Sequence, residues 1–466
     1  MSNISLYSLG ATEEVTGSKH ILEINGQSYM IDCGAWQGNA YADERNSNFT
    51  FPVDKLNSVI LTHAHFDHCG LITKLVKDGY AGKIYSTPAT RDLASIVMLD
   101  SAKIQSTEKV QSYNEEDCLN ALSHFRCAVY EKEKKLNDNF KITFYDAGHI
   151  LGSSMVDISI PKYTSFLGKI FHSEKNNRMH ILFTGDLGRE NNPICHPPAT
   201  NMPAPDYMVL ESTYGNKTHE SIDTVYQELA YTINRTIERG GKVIIPSFAI
   251  ERAQELIYFI KNLMKQEKIP RIPVYIDSPM AGNATGVFNA HPECFNETIR
   301  AEFLAKGKNP FSVRTLKFIS DSTESKRIAK SKKPCIVIAA NGMCEAGRII
   351  NHLKENLDDE KNTILIVGYM GENTLGRKIL NKEETLIIDK KEVHLKAEVQ
   401  KINAFSAHAD YKEITAWLKK VDTSKLKKIF LVHGEKDAQA YLQDYLKNNG
   451  YPNVEIVKAN GIYHLK

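Results

Sequence analysis

Residues 62–70 read Thr62-His-Ala-His-Phe-Asp-His-Cys-Gly70, the densest run of metal-binding residue types in the chain. Within it His63, His65, Asp67 and His68 supply three imidazoles and a carboxylate, the nitrogen and oxygen ligands that zinc takes. The run follows Val59-Ile60-Leu61-Thr62, which reads as a buried strand, and precedes Leu71 to Lys77, which reads as a helix. It therefore belongs on a tight connection at a strand end, where side chains face two ions at once and a rigid scaffold positions them.

The same layout recurs further out. Ile142-Thr-Phe-Tyr145 leads to His149, Ile181-Leu-Phe-Thr184 to Asp186, and Ile429-Phe-Leu-Val432 to His433, so that each apolar strand ends near a potential ligand. These are candidates to complete two Zn2+ shells: His63, His65 and His149 for one, Asp67, His68 and His433 for the other, with Asp186 bridging. Two metals about 3.5–4 Å apart share a hydroxide and clamp a transferring group. Asp32, at the end of the run Tyr29 to Asp32, is expected behind the ligands, where a carboxylate fixes their orientation.

The chain is 466 residues long, roughly three times a usual domain of about 150, so several domains or one very large one are expected. A hydrophobic share of 42% and a charged share of 24% are those of a globular protein, excluding disorder and fibres. Lys and Arg total 58 against 56 Asp and Glu, a net charge of +2, so contact with nucleic acid must come from a local patch rather than from the whole-chain field. The eight cysteines form no C-x-x-C pair and the N-terminus has no basic, apolar leader, which predicts a reduced cytoplasmic setting. No apolar run approaches the roughly 18 residues that span a bilayer, so a soluble protein with no membrane partner is expected.

Asn25-Gly26 between His20–Ile24 and Tyr29–Asp32 is a strong hairpin signal. From about Tyr207 to Asp389 strands alternate with longer helical stretches: Val243–Ile245 before Ile250–Met264, Val274–Ile276 before Met280–Ala290, Ile336–Ile338 before Glu345–Leu353. That alternation predicts a mainly parallel α/β sheet. The expected organisation is a first domain over 1–206, an α/β insertion over 207–390, and a return to the first domain over 391–466. The final strand is placed near Val454–Val457 with no further RNA-binding module, and Glu131–Lys135 reads as a solvated helix face.

Asp32-Cys-Gly, Thr62 to Gly70, Ala147-Gly-His149 and Thr184-Gly-Asp-Leu-Gly-Arg189 resemble the successive signatures of the metallo-β-lactamase superfamily. Leu210-Glu-Ser-Thr-Tyr-Gly215, Ile245-Pro-Ser-Phe-Ala249 with Arg252, Asp277-Ser-Pro-Met280, Gly342-Met, Gly347-Arg348, Phe405-Ser-Ala-His408-Ala-Asp410 and Val432-His433-Gly434 are similar to the motifs of one branch, the β-CASP nucleases. That family includes the endonuclease subunit of the pre-mRNA cleavage and polyadenylation complex and shorter bacterial and archaeal relatives. The resemblance runs through essentially the whole chain. It implies a metallo-β-lactamase αββα sandwich interrupted by an inserted α/β β-CASP domain, and a zinc-dependent ribonuclease acting as an endonuclease or also as a 5′-to-3′ exonuclease.

Carried over residue by residue, the family pattern makes His433 a zinc ligand, Asp67 a ligand with a catalytic part, His408 the general acid and Glu211 the group that orients it. A metal-bridging hydroxide would attack phosphorus and His408 would protonate the leaving 3′ oxygen. The chemistry is sound on its own terms, since a departing alkoxide needs an acid, histidine titrates near working pH, and a carboxylate favours the charged imidazole. A histidine at His433 is the form found in RNA-directed members, so single-stranded RNA is the expected partner. Grip is expected from Ser247, Arg252, Asn341, Gly342 and Arg348 near predicted strand ends, in a cleft between domains, with a homodimer or RNA-processing protein partners as further sources. Glu251 stands where Gly commonly precedes the Arg, and Asn341 where Ser is common. Two other readings stay open: a thioesterase or lactamase, which needs neither the long insertion nor the Glu211–His408 pair, and a non-catalytic RNA-processing scaffold.

Overall fold

The computed structural model describes residues 3–38, 41–106, 111–137, 140–162, 178–306, 309–368, 370–371 and 373–466. They form two compact units, one from Met1–Thr218 with Ala407–Lys466 and one from His219–Ser406.

In the first unit Asn25 and Gly26 both take positive φ, the conformation a two-residue hairpin needs, and His20–Ile24 pairs antiparallel with Gln27–Ile31. These strands belong to a seven-stranded sheet ordered Tyr463–Leu465, Ile4–Ser8, His20–Ile24, Gln27–Ile31, Leu56–Ile60, Lys83–Ser86, Phe125–Cys127. A second seven-stranded sheet runs Val454–Ile456, Lys428–Val432, Tyr207–Glu211, Arg178–Phe183, Ser154–Pro161, Lys141–Asp146, Lys134–Lys135.

Strand periodicity explains how the layers stack. Along Arg178–Phe183 the alternate residues Met179, Ile181 and Phe183 share one core with Leu6, Leu22 and Ile60 of the first sheet. The intervening Leu182 faces the other way, into a core with Trp417 and Leu442 from the helices Tyr411–Leu418 and Lys436–Asn448. Period-2 alternation with both faces apolar thus buries the strand between a sheet and a helical layer.

Tyr207–Glu211 lies in the first unit because it pairs in parallel with both Arg178–Phe183 and Lys428–Val432. The second unit runs to residue 406, Glu398–Lys401 closing its sheet against Thr363–Ile366. The last strand is Tyr463–Leu465, which covers the edge of Ile4–Ser8. Glu131–Lys135 is not a helix face: Glu131 sits in a turn and the exposed Lys134–Lys135 is a charged edge strand of the second sheet.

The second unit has a six-stranded sheet ordered Leu316–Phe318, Val274–Asp277, Ile336–Ala339, Val243–Pro246, Thr363–Ile366, Glu398–Lys401, every pair parallel. Its strands Val243–Pro246, Ile336–Ala339 and Thr363–Ile366 are buried throughout, as expected of a sheet with helices on both faces. No helix among the described residues is long and apolar enough to cross a membrane.

Phe144 is fully buried between the two sheets of the first unit. Phe144→Ala should lower the unfolding free energy of that unit by about 3–5 kcal/mol through lost burial and a residual cavity, read as an earlier midpoint in denaturant.

Candidate metal centre and acid site

The ligand candidates come from strand ends at one rim of the first unit. Gln27–Ile31 and Leu56–Ile60 are parallel neighbours and end at Asp32 and at the run beginning with His63. In the facing sheet Arg178–Phe183, Tyr207–Glu211 and Lys428–Val432 run parallel and end at Asp186, Glu211 and His433.

Asp32 fixes the run. One carboxylate oxygen accepts from the Thr62 amide at 2.8 Å. The other accepts from the Thr62 hydroxyl at 2.9 Å and lies 2.7 Å from His68 Nδ1. His68 is thereby held as an Nδ1–H donor with Nε2 turned to the site. Gly34 supports this from behind, since a Cβ there would lie 1.6 Å from the Asp67 carbonyl oxygen; only glycine lets the two loops approach so closely.

Two donor groups result. His63 Nε2 and His149 Nε2 each lie 3.1 Å from His65 Nδ1, and each 3.4 Å from Asp186 Oδ2. His68 Nε2 lies 3.0 Å from His433 Nε2 and 3.3 Å from the other Asp186 oxygen, while His433 Nε2 is 3.4 Å from Asp67 Oδ2. Each group brings its ligand atoms within 4.8 Å of one another. Asp186 spans the two, one oxygen toward each.

These spacings fit a metal. A tetrahedral ion with nitrogen at about 2.0–2.1 Å separates its ligands by about 3.3–3.4 Å. Asp186 Oδ1 is buried and makes no hydrogen bond of good geometry, an arrangement that leaves its charge to be met by a cation. Burial pushes His63 down to about 3 and His65 to about 4, and holds His149 well below the usual imidazole range, so these imidazoles present lone pairs. For His68 burial also opposes the charge, but Asp186 and Asp32 outweigh it and hold the ring protonated well above the usual range. Metal and proton therefore compete for His68.

His433 is set by its backbone, at φ +53, with its amide donating to the Ala11 carbonyl at 2.8 Å and Nδ1 3.0 Å from the Thr213 hydroxyl. His408 stands beside both groups. Its Nδ1 is 3.0 Å from Glu211 Oε1 and its Nε2 3.9 Å from Asp186 Oδ2. Glu211 is buried and its two oxygens accept from the amides of Leu187 at 2.7 Å and Thr213 at 3.1 Å. Burial works against a charged His408, yet Glu211 and then Asp186 raise it to about 9.

The residues expected to hold substrate lie in the second unit. Ser247 is buried, its amide bonded to Ala339 O. Asn341 Oδ1 accepts from the Met343 amide at 2.6 Å, shaping its own turn beside Gly342. The guanidinium groups of both arginines have partners within the unit. Arg348 Nη1 donates to Asp277 at 2.7 Å and to the Ile319 carbonyl at 2.9 Å, and Nη2 to the Ser320 carbonyl. Arg252 pairs with Glu255 and lies over the Phe405 ring. Glu251 takes φ +65, where glycine is least strained, which accounts for Gly being the ordinary choice there.

Sequence patterns missed a buttress around Trp36. Lys19 lies 3.5 Å over the indole and donates to the Gly34 carbonyl at 2.6 Å. Arg45 stacks at 4.1 Å and pairs with Glu14, which also accepts from Trp36 Nε1 at 3.0 Å. The Glu14 carbonyl in turn accepts from the Gly434 amide, next to His433. These residues are scattered between positions 14 and 45, and no short motif joins them.

Family models match three stretches: the Metallo-beta-lactamase superfamily domain over residues 21–181, the Beta-Casp domain over 253–379, and the Zn-dependent metallo-hydrolase RNA specificity domain over 392–457. Ribonuclease TTHA0252 of Thermus thermophilus is 34% identical over 428 residues, 92% of each chain. Transcription termination factor FttA of Methanosarcina mazei is 30% identical, covering 98% of this chain and 71% of that one. The crystal structure of a protein of unknown function from Enterococcus faecalis V583 superposes with a TM-score of 0.55 over 99% of this chain and 100% of that one; at 12% identity the likeness is of fold alone.

Asp32→Asn keeps the size of the side chain but removes the charge that orients His68. It should weaken zinc binding by roughly 10–100-fold, measured by competition with a chromophoric chelator, while the circular dichroism spectrum stays unchanged.

Proposed function

Since the chain belongs to the β-CASP family of metallo-β-lactamase-fold hydrolases, we propose that it is a zinc-dependent ribonuclease cutting single-stranded RNA. The observation that carries this reading is the pairing of a shared carboxylate, Asp186, with a buried His408–Glu211 couple placed beside it. A thioesterase releases a thiolate, which is weakly basic and needs no such separate acid; a phosphodiesterase must protonate an alkoxide.

Two zinc ions would be held by His63, His65 and His149, and by Asp67, His68 and His433, with Asp186 common to both; bound there they supply Lewis acidity and activate water. The chain's own residues do the rest. Glu211 accepts at His408 Nδ1, which leaves the Nε2 proton on the side of Asp186, facing the donor groups. A water oxygen bonds to phosphorus and gives up its proton; as the bond between phosphorus and the 3′ oxygen breaks, the His408 proton passes from Nε2 to that oxygen, giving a 3′-hydroxyl and a 5′-phosphate. Burial would raise Asp67 and Asp186, but the neighbouring imidazoles outweigh it and hold both below the ordinary carboxylate range. Ser247, Asn341 and Gly342 are assigned to the substrate, and Arg252 and Arg348 to holding the loops that carry them. The cysteines among the described residues are all free, which supports a reducing cytoplasmic setting.

End-labelled RNA incubated with zinc-loaded protein should be cut to fragments bearing 5′-phosphates, and matched DNA should be spared. Asp186→Ala and His408→Ala should each lower kcat by about 100-fold or more; cleavage by both variants at the parent rate would refute the assignment. Glu211→Gln should move the alkaline limb of the pH–rate profile to lower pH. His408 acts protonated and Glu211 raises its pKa, so loss of that charge lets the proton leave earlier as pH rises.

A further inference from the structure

The parallel sheet of residues 219–406 has a ligand-binding position of its own. Val243–Pro246 and Ile336–Ala339 are adjacent, yet their outgoing connections run in opposite directions along the sheet, to Val274–Asp277 and to Thr363–Ile366. Right-handed crossovers place the intervening helices on opposite faces. Accordingly Arg252–Lys265 packs with Ile222–Glu238 and Pro279–Ala290, and Ile349–Asn356 with Ser322–Lys330. Loops that leave neighbouring strands for opposite faces mark the switch point where open α/β sheets take their ligands. Ser247-Phe248 and Asn341-Gly342 stand there.

Phe248 is 42% exposed although Ser247, Ala249 and Ile250 around it are buried. Its ring rests on two backbones without side chains: a Cβ on Gly342 would lie 3.0 Å from Cδ2, and one on Gly368 3.8 Å from Cε2. A side chain at Gly342 would push the ring away. One part of the phenyl group is thus seated on glycine while the rest stays open to solvent. The nearby guanidinium groups of Arg252 and Arg348 are occupied within the unit, as described above. The position therefore offers an aromatic face rather than a cationic grip. A flat unpaired base suits that surface, because every nucleobase has a π-face and stacks on an aromatic ring without regard to sequence.

We propose that Phe248 is a stacking platform for one unpaired nucleobase of the substrate RNA, seated against Gly342 and Gly368. This rests on the ribonuclease reading. The platform binds; it takes no part in the chemistry at phosphorus.

The test uses the full-length, zinc-loaded protein and a single-stranded oligoribonucleotide. Phe248→Leu, which keeps the apolar bulk and loses the ring, should raise KM roughly tenfold, more than it lowers kcat. Phe248→Trp should keep KM near the parent value. Its indole would be exposed, whereas Trp36 and Trp417 are buried, so RNA should quench a new fluorescence signal. A scan of single abasic nucleotides should find one position that weakens binding to the parent protein by a similar factor and does not weaken binding to Phe248→Leu further. Equal KM values for the parent and Phe248→Leu, or abasic losses that add in full to that of Phe248→Leu, would overturn the platform. If the parent protein turns over no RNA, the ribonuclease reading falls and takes the platform with it; if the parent cuts RNA and Phe248→Leu matches its KM, only the platform falls.

Discussion

The carboxylate of Asp186 is the constraint around which the first unit is arranged. It is 2% exposed, has His63, His68, His149, His408 and His433 within 3.9 Å, and makes no hydrogen bond through one of its oxygens. A buried anion of this kind is costly unless positive charge meets it. The depressed imidazoles of His63, His65 and His149 contribute lone pairs rather than charge. The protons on His68 and His408 meet part of the need, and a divalent cation fits the remainder.

The sandwich delivers this arrangement by having its relevant strands finish on one rim. Each strand alternates its side chains between the core and the opposite layer, and the residue after its last hydrogen bond is free of that alternation. Asp32, His63, Asp186, Glu211 and His433 all occupy such positions or lie within three residues of them. The acid couple depends on the same device. Glu211 reaches His408 because the Leu187 amide bonds the carboxylate while Ala409 donates to the Leu187 carbonyl, tying three segments together.

In the second unit the guanidinium groups of Arg252 and Arg348 have partners within the unit. Arg348 ties Asp277 to the carbonyls of residues 319 and 320, and Asp277 also receives His352 and Ser325. A motif such as Asp277-Ser-Pro-Met280 is therefore a structural hub at the carboxyl end of a strand.

Much was legible in the sequence because the information was local. His63 to His68 lie within one short loop, and the strands before His149, Asp186 and His433 are continuous apolar runs, so the ligand candidates followed from residue spacing, as did the parallel sheet from strand-helix alternation; the sandwich followed from the family resemblance. Tyr207–Glu211 looks in sequence like the first strand of the insertion, and only its pairing with Arg178–Phe183 and Lys428–Val432 puts it in the first unit's second sheet. The Trp36 buttress and the inward guanidinium groups were not legible at all, since ion pairs and ring contacts between distant residues leave no periodic trace. The sequence by itself thus determined which residue types of metal-ligand chemistry stand at which strand ends, because that is local. Only the tertiary structure decided which oxygen of Asp186 meets which imidazoles, and that Phe248 faces solvent beyond the carboxyl end of a central strand, because these depend on distances and directions that packing sets.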